Sequence, residues 1–283
     1  MQQHMTDMQK EASITTLCRV LGMSRSGWYT AVARAKQPRA LAPDEVRLCA
    51  AFEQSAQTYG SRRLSHAVTA QGSPMGRYRA RSLMRRHGLQ AKSKRKFRHT
   101  TDSRHNLPVA DNVLNRQFTP EAINQAWVCD ITYIRTASGW LYLAAVLDLY
   151  SRKVVGWAMA PEMPASLVCE ALKMALVIRQ PPPGLVVHSD RGSQYASSEH
   201  QQLLASHQCV GSMSRKGNCW DNAVMERFFL SLKLERVWRK QYANHYEARA
   251  DVADYIVGFY NTERLHSTLG YKSPAAFEQQ GSE

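Results

Sequence analysis

Between residues 127 and 159 three apolar or alternating runs, 127–135, 140–148 and 153–159, are separated only by the turn-forming pairs Ser138-Gly139 and Ser151-Arg152. Alternation of this kind, broken by turns this tight, predicts a three-strand meander. The period then changes: residues 165–178 carry apolar side chains at helical spacing and stop at Pro181-Pro-Pro-Gly184, ahead of the short apolar run Leu185-Val-Val-His188. A helix near 198–206 and a strand near Val210 complete a mixed α/β sheet with helices.

Three acids occupy distinctive places on this frame. Asp130 lies within Trp127-Val-Cys-Asp-Ile-Thr-Tyr-Ile134, and Asp190 ends Leu185-Val-Val-His-Ser-Asp190 before the turn Arg191-Gly192. Glu226 lies in Asn218-Cys-Trp-Asp-Asn-Ala-Val-Met-Glu-Arg-Phe-Phe229, which reads as the start of a long helix. Three carboxylates delivered to one cleft suit a two-metal phosphoryl-transfer site, because magnesium binds through a few acids plus substrate phosphate. Spacing alone does not decide this: with 23 acids in 283 positions, about one or two acid pairs at the Asp190–Glu226 offset arise by chance.

The flanking residues are decisive. Together with Leu147-Asp-Leu-Tyr-Ser-Arg-Lys-Val-Val-Gly-Trp157, His188-Ser-Asp-Arg-Gly-Ser-Gln-Tyr195, Ser214-Arg-Lys-Gly-Asn-Cys-Trp-Asp-Asn-Ala-Val-Met-Glu226 and Tyr260-Asn-Thr-Glu-Arg-Leu-His-Ser-Thr-Leu-Gly-Tyr271, they span most of residues 125–278. In that order they resemble the integrase-core transposases of bacterial insertion sequences, the OrfB type, relatives of retroviral integrases in the Asp-Asp-Glu superfamily. The resemblance implies a ribonuclease H-like integrase core, with Asp130, Asp190 and Glu226 as catalytic triad and metal ligands. It also implies two Mg2+ ions, with Mn2+ as substitute, and a polynucleotidyl transferase that cleaves DNA at an element end and then joins the freed strand to another. Lys233, seven residues after Glu226 and so on nearly the same helical face, is a candidate for contacting the DNA end. Arg227, Lys216 and Arg215 are weaker candidates. Asp221 reads as a helix cap, Asp148 as a turn residue, Phe228, Phe229 and Leu232 as core, and Trp220 as core with base stacking as the alternative. Asn261, Arg264 and His266 match the family, and the histidines read as hydrogen-bonding groups.

The charge is segregated. Residues 1–120 hold 21 Lys or Arg against 7 Asp or Glu, whereas the remainder of the 37 basic and 23 acidic residues balances at 16 of each. The whole excess therefore precedes the core, as expected of a region that binds phosphate backbone. Residues 13–32 carry two short helical patterns parted by Leu21-Gly22-Met23, with Ser24 as N-cap of the second. This is either helix-turn-helix-like, with Arg25, Ser26, Trp28 and Tyr29 on the recognition helix, or a plain helical hairpin. Further helices are expected over 44–55, 61–71 and 77–87. In the last, Tyr78, Leu83 and Met84 would face a core, while Arg79, Arg81, Arg85 and Arg86 reach outward. The stretch 59–89, with Arg62 and Arg63, resembles the helix-turn-helix module preceding these cores, and the basic run of Lys92, Lys94, Arg95 and Lys96 reads as an arm laid along DNA. The expected division is thus 1–40 helix-turn-helix-like, 41–98 basic DNA-binding module, 99–124 linker, and 125–283 integrase core with a helical tail.

Cysteine usage without a Cys-x-x-Cys pair predicts a reduced compartment and no structural zinc. The absence of a long apolar run or secretory leader predicts a cytoplasmic, nucleoid-associated bacterial protein without membrane contact. Expected partners are double-stranded DNA, comprising element ends and target, and further copies of the chain in a homo-oligomer. No heptad zipper is visible, so an upstream-frame OrfA product is a further candidate partner or fusion. The alternatives are a simple metal-dependent nuclease and a non-catalytic DNA-binding regulator.

Overall fold

The computed structural model describes residues 13–36, 41–91, 108–215 and 219–281. The chain divides between Arg47 and Leu48 into two compact units. In the first, helices α1 (Ile14–Val20) and α2 (Arg25–Lys36) each begin at a serine: Ser13 Oγ accepts from Thr16 N and Ser24 Oγ from Gly27 N. Leu17, Cys18 and Trp28 are buried together. Trp28 is therefore core and not a base-reading side chain, whereas Arg25 and Ser26 are exposed.

The second unit starts within α3 (Pro43–Gln54) and continues through α4 (Ser61–Ala70) and α5 (Arg77–Arg86). Leu48, Phe52, Leu64, Val68, Ala80 and Leu83 form their common core. Tyr78, expected to share it, is 83% exposed. The reason is angular: at ~100° per residue, Tyr78 sits well off the stripe set by Ala80, Leu83 and Met84. Phe259 and Leu265 of the tail pack against the same core.

A five-stranded sheet follows in the order β3-β2-β1-β4-β5, built from β1 (Ala126–Thr136), β2 (Gly139–Asp148), β3 (Val154–Ala160), β4 (Val186–Ser189) and β5 (Val210–Met213). The meander β1-β2-β3 is antiparallel, while β1–β4 and β4–β5 are parallel. Side chains alternate between two cores. Trp127, Cys129, Ala144 and Val146 face α6 (Ala165–Arg179), whereas Val128, Ile134, Leu143 and Leu147 face α8 (Ala223–Glu235) and α9 (His245–Asp254). Helix α6 lies so close to β3 that a Cβ on Gly156 would fall 2.3 Å from Ala171 O, so no other residue fits there. Between β4 and β5 runs α7 (Ser198–Ser206), and after a π-helical turn at Tyr255–Tyr260 the chain ends in α10 (Pro274–Gln280).

Residues 108–125, read as linker, form a strap on the core. Leu114 is buried, its amide donates to Ser212 Oγ, and Arg152 donates to Phe118 O. Among the described residues no helix is long and apolar enough to cross a membrane.

Candidate active site

The register of the parallel pair positions the first two acids. Val128 is aligned with His188, so Asp130 on β1 and Asp190, one residue past the end of β4, fall level, each two residues further on. Backbone amides orient both: Ile131 N donates to Asp130 Oδ1 at 2.8 Å, and Gly192 N to Asp190 Oδ1 at 2.9 Å. Glu226 comes from the first turn of α8, which packs on the same sheet face. The acids share one electrostatic field. Burial, then the Asp190 carboxylate, raises the Asp130 carboxyl well above the usual range; Glu226 adds to this, while the Ile131 amide and Lys233 oppose it. Such mutual repulsion, from an oxygen-only donor set, fits a hard divalent cation. The three do not form a tight cage: among the described residues no group of three or more His, Cys, Asp or Glu side chains is gathered closely enough to hold a metal ion.

Lys233 is buried on α8 with Nζ 4.5 Å from the centre of the Tyr133 ring. Burial lowers its pKa to about 8, with Asp130 pulling the other way. It lies within the field of Asp130, and at 3% exposure it is closed off from the surface.

The entrance to α8 is clamped. Asp221, expected to cap the helix, instead accepts from Arg116 Nε at 2.7 Å, Asn112 Nδ2 at 3.0 Å and the Arg215 amide at 2.9 Å. The hydrogen bonds from Arg215 hold its carboxyl far below the usual range against the opposing effect of burial. Next to it, Asn222 Nδ2 donates to Cys129 O at 3.2 Å and so ties the helix start to the residue before Asp130. Trp220, expected in the core, is 70% exposed. Asn112, Arg116 and Asn222 had no assigned role in the sequence, because their partners are 93 to 109 positions away.

The other acids have structural partners. Asp148 accepts from Asn124 N, Trp127 Nε1, Tyr150 N and Ser151 N. Glu235 faces Arg264 through two bonds of 2.8 Å and Tyr255 through one of 2.7 Å, and so is fully engaged in an ion pair. His188 hydrogen-bonds Ser212 and Ser214, and burial pushes it down to about 4, so it is neutral. Of the cations read as phosphate-binding, Arg62, Arg79, Arg81, Arg85, Arg86 and Arg227 are exposed. Arg63 is turned inward, over the Tyr59 ring and 3.6 Å from Glu235, and so serves the helix-to-tail junction. Lys216, Lys92, Lys94, Arg95 and Lys96 lie outside the described residues.

Comparison with known proteins bears on the whole chain. Residues 120–219 and 207–274 match integrase core domains, and residues 44–97 match an HTH-like domain. "Transposase InsF for insertion sequence IS3A" of Escherichia coli (strain K12) is 46% identical over 275 residues, covering 95% of each chain. This chain belongs to the insertion-sequence transposase family. The transposase is also 44% identical over 265 residues to the "Insertion element IS600 uncharacterized 31 kDa protein" of Shigella sonnei, covering 93% of this chain and 97% of that one. Among solved structures, a simian T-cell lymphotropic virus intasome chain has a TM-score of 0.49 at 16% identity, covering 82% of the transposase and 74% of that chain. The HTLV-2 integrase catalytic core domain in complex with magnesium has a TM-score of 0.44 at 16% identity, covering 56% and 98%. The sheet of the transposase, with the integrase-core matches, is that of a ribonuclease H-like integrase core preceded by an HTH-like helical region.

Proposed function

We propose that this transposase cuts double-stranded DNA at insertion-sequence ends and joins the freed 3′ hydroxyl to target DNA, with Asp130, Asp190 and Glu226 as metal-binding catalytic acids. The observation that carries the reading is the strand register that sets Asp130 level with Asp190 under the helix bearing Glu226, so close that both further carboxylates raise the Asp130 carboxyl. Charge of one sign concentrated in a cleft is costly to folding and is kept where a ligand offsets it. Two Mg2+ ions, or Mn2+ in their place, would there activate the attacking oxygen and stabilise the leaving one. Asp130 and Asp190, oriented by Ile131 N and Gly192 N, would hold them from the sheet, and Glu226 would close the site from α8. Lys233, charged below about pH 8, would bind a phosphate of the DNA end.

In the first step water displaces the 3′ oxygen from phosphorus and leaves a 3′ hydroxyl and a 5′ phosphate; in the second that hydroxyl attacks a target phosphodiester and the target's own 3′ oxygen leaves as a hydroxyl, so no enzyme-bound intermediate forms. Exposed Arg79, Arg81, Arg85 and Arg86 on α5, with Arg62 on α4 and Arg227 on α8, would hold backbone phosphates. Two ends must be brought together, so the acting species is a homo-oligomer on the nucleoid, with an upstream-frame OrfA product as partner or fusion. The test is incubation with a labelled element-end duplex and Mg2+ or Mn2+, comparing wild type with Glu226→Gln. Joined products that vanish in the variant, with DNA binding retained, are expected. Cutting without joining would point to a nuclease, and intact activity in the variant would remove Glu226 from the site.

A further inference from the structure

Trp220 is an indole in the wrong place for a core residue. The two residues that follow it are almost fully buried, Asp221 at 1% and Asn222 at 5%, yet Trp220 itself is 70% exposed. Tryptophan exposes a large apolar area at a cost in hydration, and a folded chain keeps such a ring in water mainly where something else will cover it. The backbone that follows the ring is held by the Asp221 clamp of Asn112, Arg116 and Arg215 and, one residue further on, by the Asn222–Cys129 hydrogen bond. A ring on so rigid a base loses little freedom when a ligand stacks on it.

Its position names the ligand. Trp220 is two residues from Asn222, at most ~7 Å of chain, and Asn222 is bonded to the residue preceding Asp130. Glu226 follows Asn222 by one helical turn, ~6 Å along the axis. The backbone that carries the indole is thus tethered next to the residue before Asp130, and Arg116 and Arg215, 44% and 48% exposed, bind the adjacent Asp221 and bring positive charge for phosphates. Bases inside a duplex are covered on both faces and meet a protein ring only at the cost of unstacking, whereas an unpaired base at an end has a face free, and every base has a face that stacks on an aromatic.

We propose that Trp220 is a stacking platform for an unpaired base at the DNA end held at Asp130, Asp190 and Glu226, an inference that rests on the strand-cutting reading above. The test uses the full chain in EDTA with element-end duplexes carrying 2-aminopurine at each of the terminal positions in turn. The probe brightens when unpaired and darkens when stacked on indole. At one position the Trp220→Ala complex should be roughly threefold or more brighter than the wild-type complex, and Trp220→Phe should restore the quenching. Trp220→Ala should also bind a blunt end about tenfold more weakly, and circular duplex equally well.

Equal emission from wild type and Trp220→Ala at every position overturns the proposal. So does a marked fall in thermal midpoint for Trp220→Ala, which would make the ring part of the core, or a change in oligomeric state without a change in emission, which would make it a protein interface. Because the fluorescence needs no chemistry, wild-type protein that quenches the probe but never joins strands would sink the strand-cutting reading and leave the platform. Normal joining with no emission difference would sink the platform alone, and failure to bind the end at all would sink both.

Discussion

Replacing Glu235 by Gln would leave the Arg264 guanidinium buried opposite a neutral amide. In the native protein Arg264 makes two 2.8 Å bonds to the Glu235 carboxylate and a third, at 3.0 Å, to Ser231 Oγ on the same helix, while Tyr255 Oη adds a 2.7 Å bond to the acid. Removing one partner of such a buried pair costs about 3–5 kcal/mol, because the remaining charge is left uncompensated. For a chain of this size that corresponds to a fall in thermal midpoint of roughly 6–20 °C. Urea unfolding of full-length protein, followed by tryptophan emission at pH 7, measures it. The double variant Glu235→Leu/Arg264→Met, which removes both charges, should recover most of the loss. The sign with pH is fixed as well. Burial pushes the Glu235 carboxyl up, but Arg264, Tyr255 and Arg63 together outweigh it and the net shift is below the ordinary 4.5. The pair's contribution is therefore complete above that pH and is lost as pH falls through the lowered value, a dependence that Glu235→Gln should lack. A Glu235→Gln protein within about 1 kcal/mol of wild type would refute the reasoning.

Asp130→Asn should abolish metal-dependent joining and yet raise the thermal midpoint in EDTA at pH 7 by several degrees. Ionising a carboxyl whose pKa is raised in the fold costs stability as pH climbs above the ordinary 3.8, and the amide avoids that cost; a lower midpoint would contradict it. Gly192→Ala would set a methyl 3.0 Å from Asp190 Oδ1 and 3.2 Å from Gln194 Oε1, and about a hundredfold slower nicking with near-native stability is expected from the displaced carboxylate. Affinity for a DNA end should weaken as pH rises through about 8, where Lys233 loses its proton, and Lys233→Arg should remove that inflection in a fluorescence-anisotropy titration. Neutralising Lys92, Lys94, Arg95 and Lys96 together should flatten the salt dependence of DNA binding by up to ~0.9 log unit for each phosphate they no longer neutralise, and an unchanged slope would take that run out of the interface.

The sheet was legible because its signals are local: alternation in 127–159, two-residue turns, and a proline stop after α6 are all read within a few residues. Asp130, Asp190 and Glu226 could be singled out for the same reason, each sitting in a motif that extends only a few positions either side, and their role is the reading proposed above. What stayed hidden depends on distant partners. The polar composition of 108–125 looks like linker, and only the Ser212 hydroxyl waiting for the Leu114 amide makes it a strap. Arg264 matched a family pattern without a role, because Glu235 is 29 positions away on another helix. Trp220 was assigned to the core because tryptophans usually are, and nothing in the neighbouring letters says that the residues on its C-terminal side are tethered elsewhere.

The junction between the helical region and the tail also bears on how the molecule comes off the ribosome. Tyr59 Oη receives the Leu265 amide across 206 positions of chain, and the ring of Tyr271 stacks on His66 at 3.7 Å. At ~5–20 residues per second, the helices that would hold DNA wait about 10–40 s for these partners to be made. During that interval the surface that Phe259 and Leu265 will cover is open to water and to other chains. A message cut short before the tail would release helices still able to offer their arginines to DNA, but with the face meant for the tail bare.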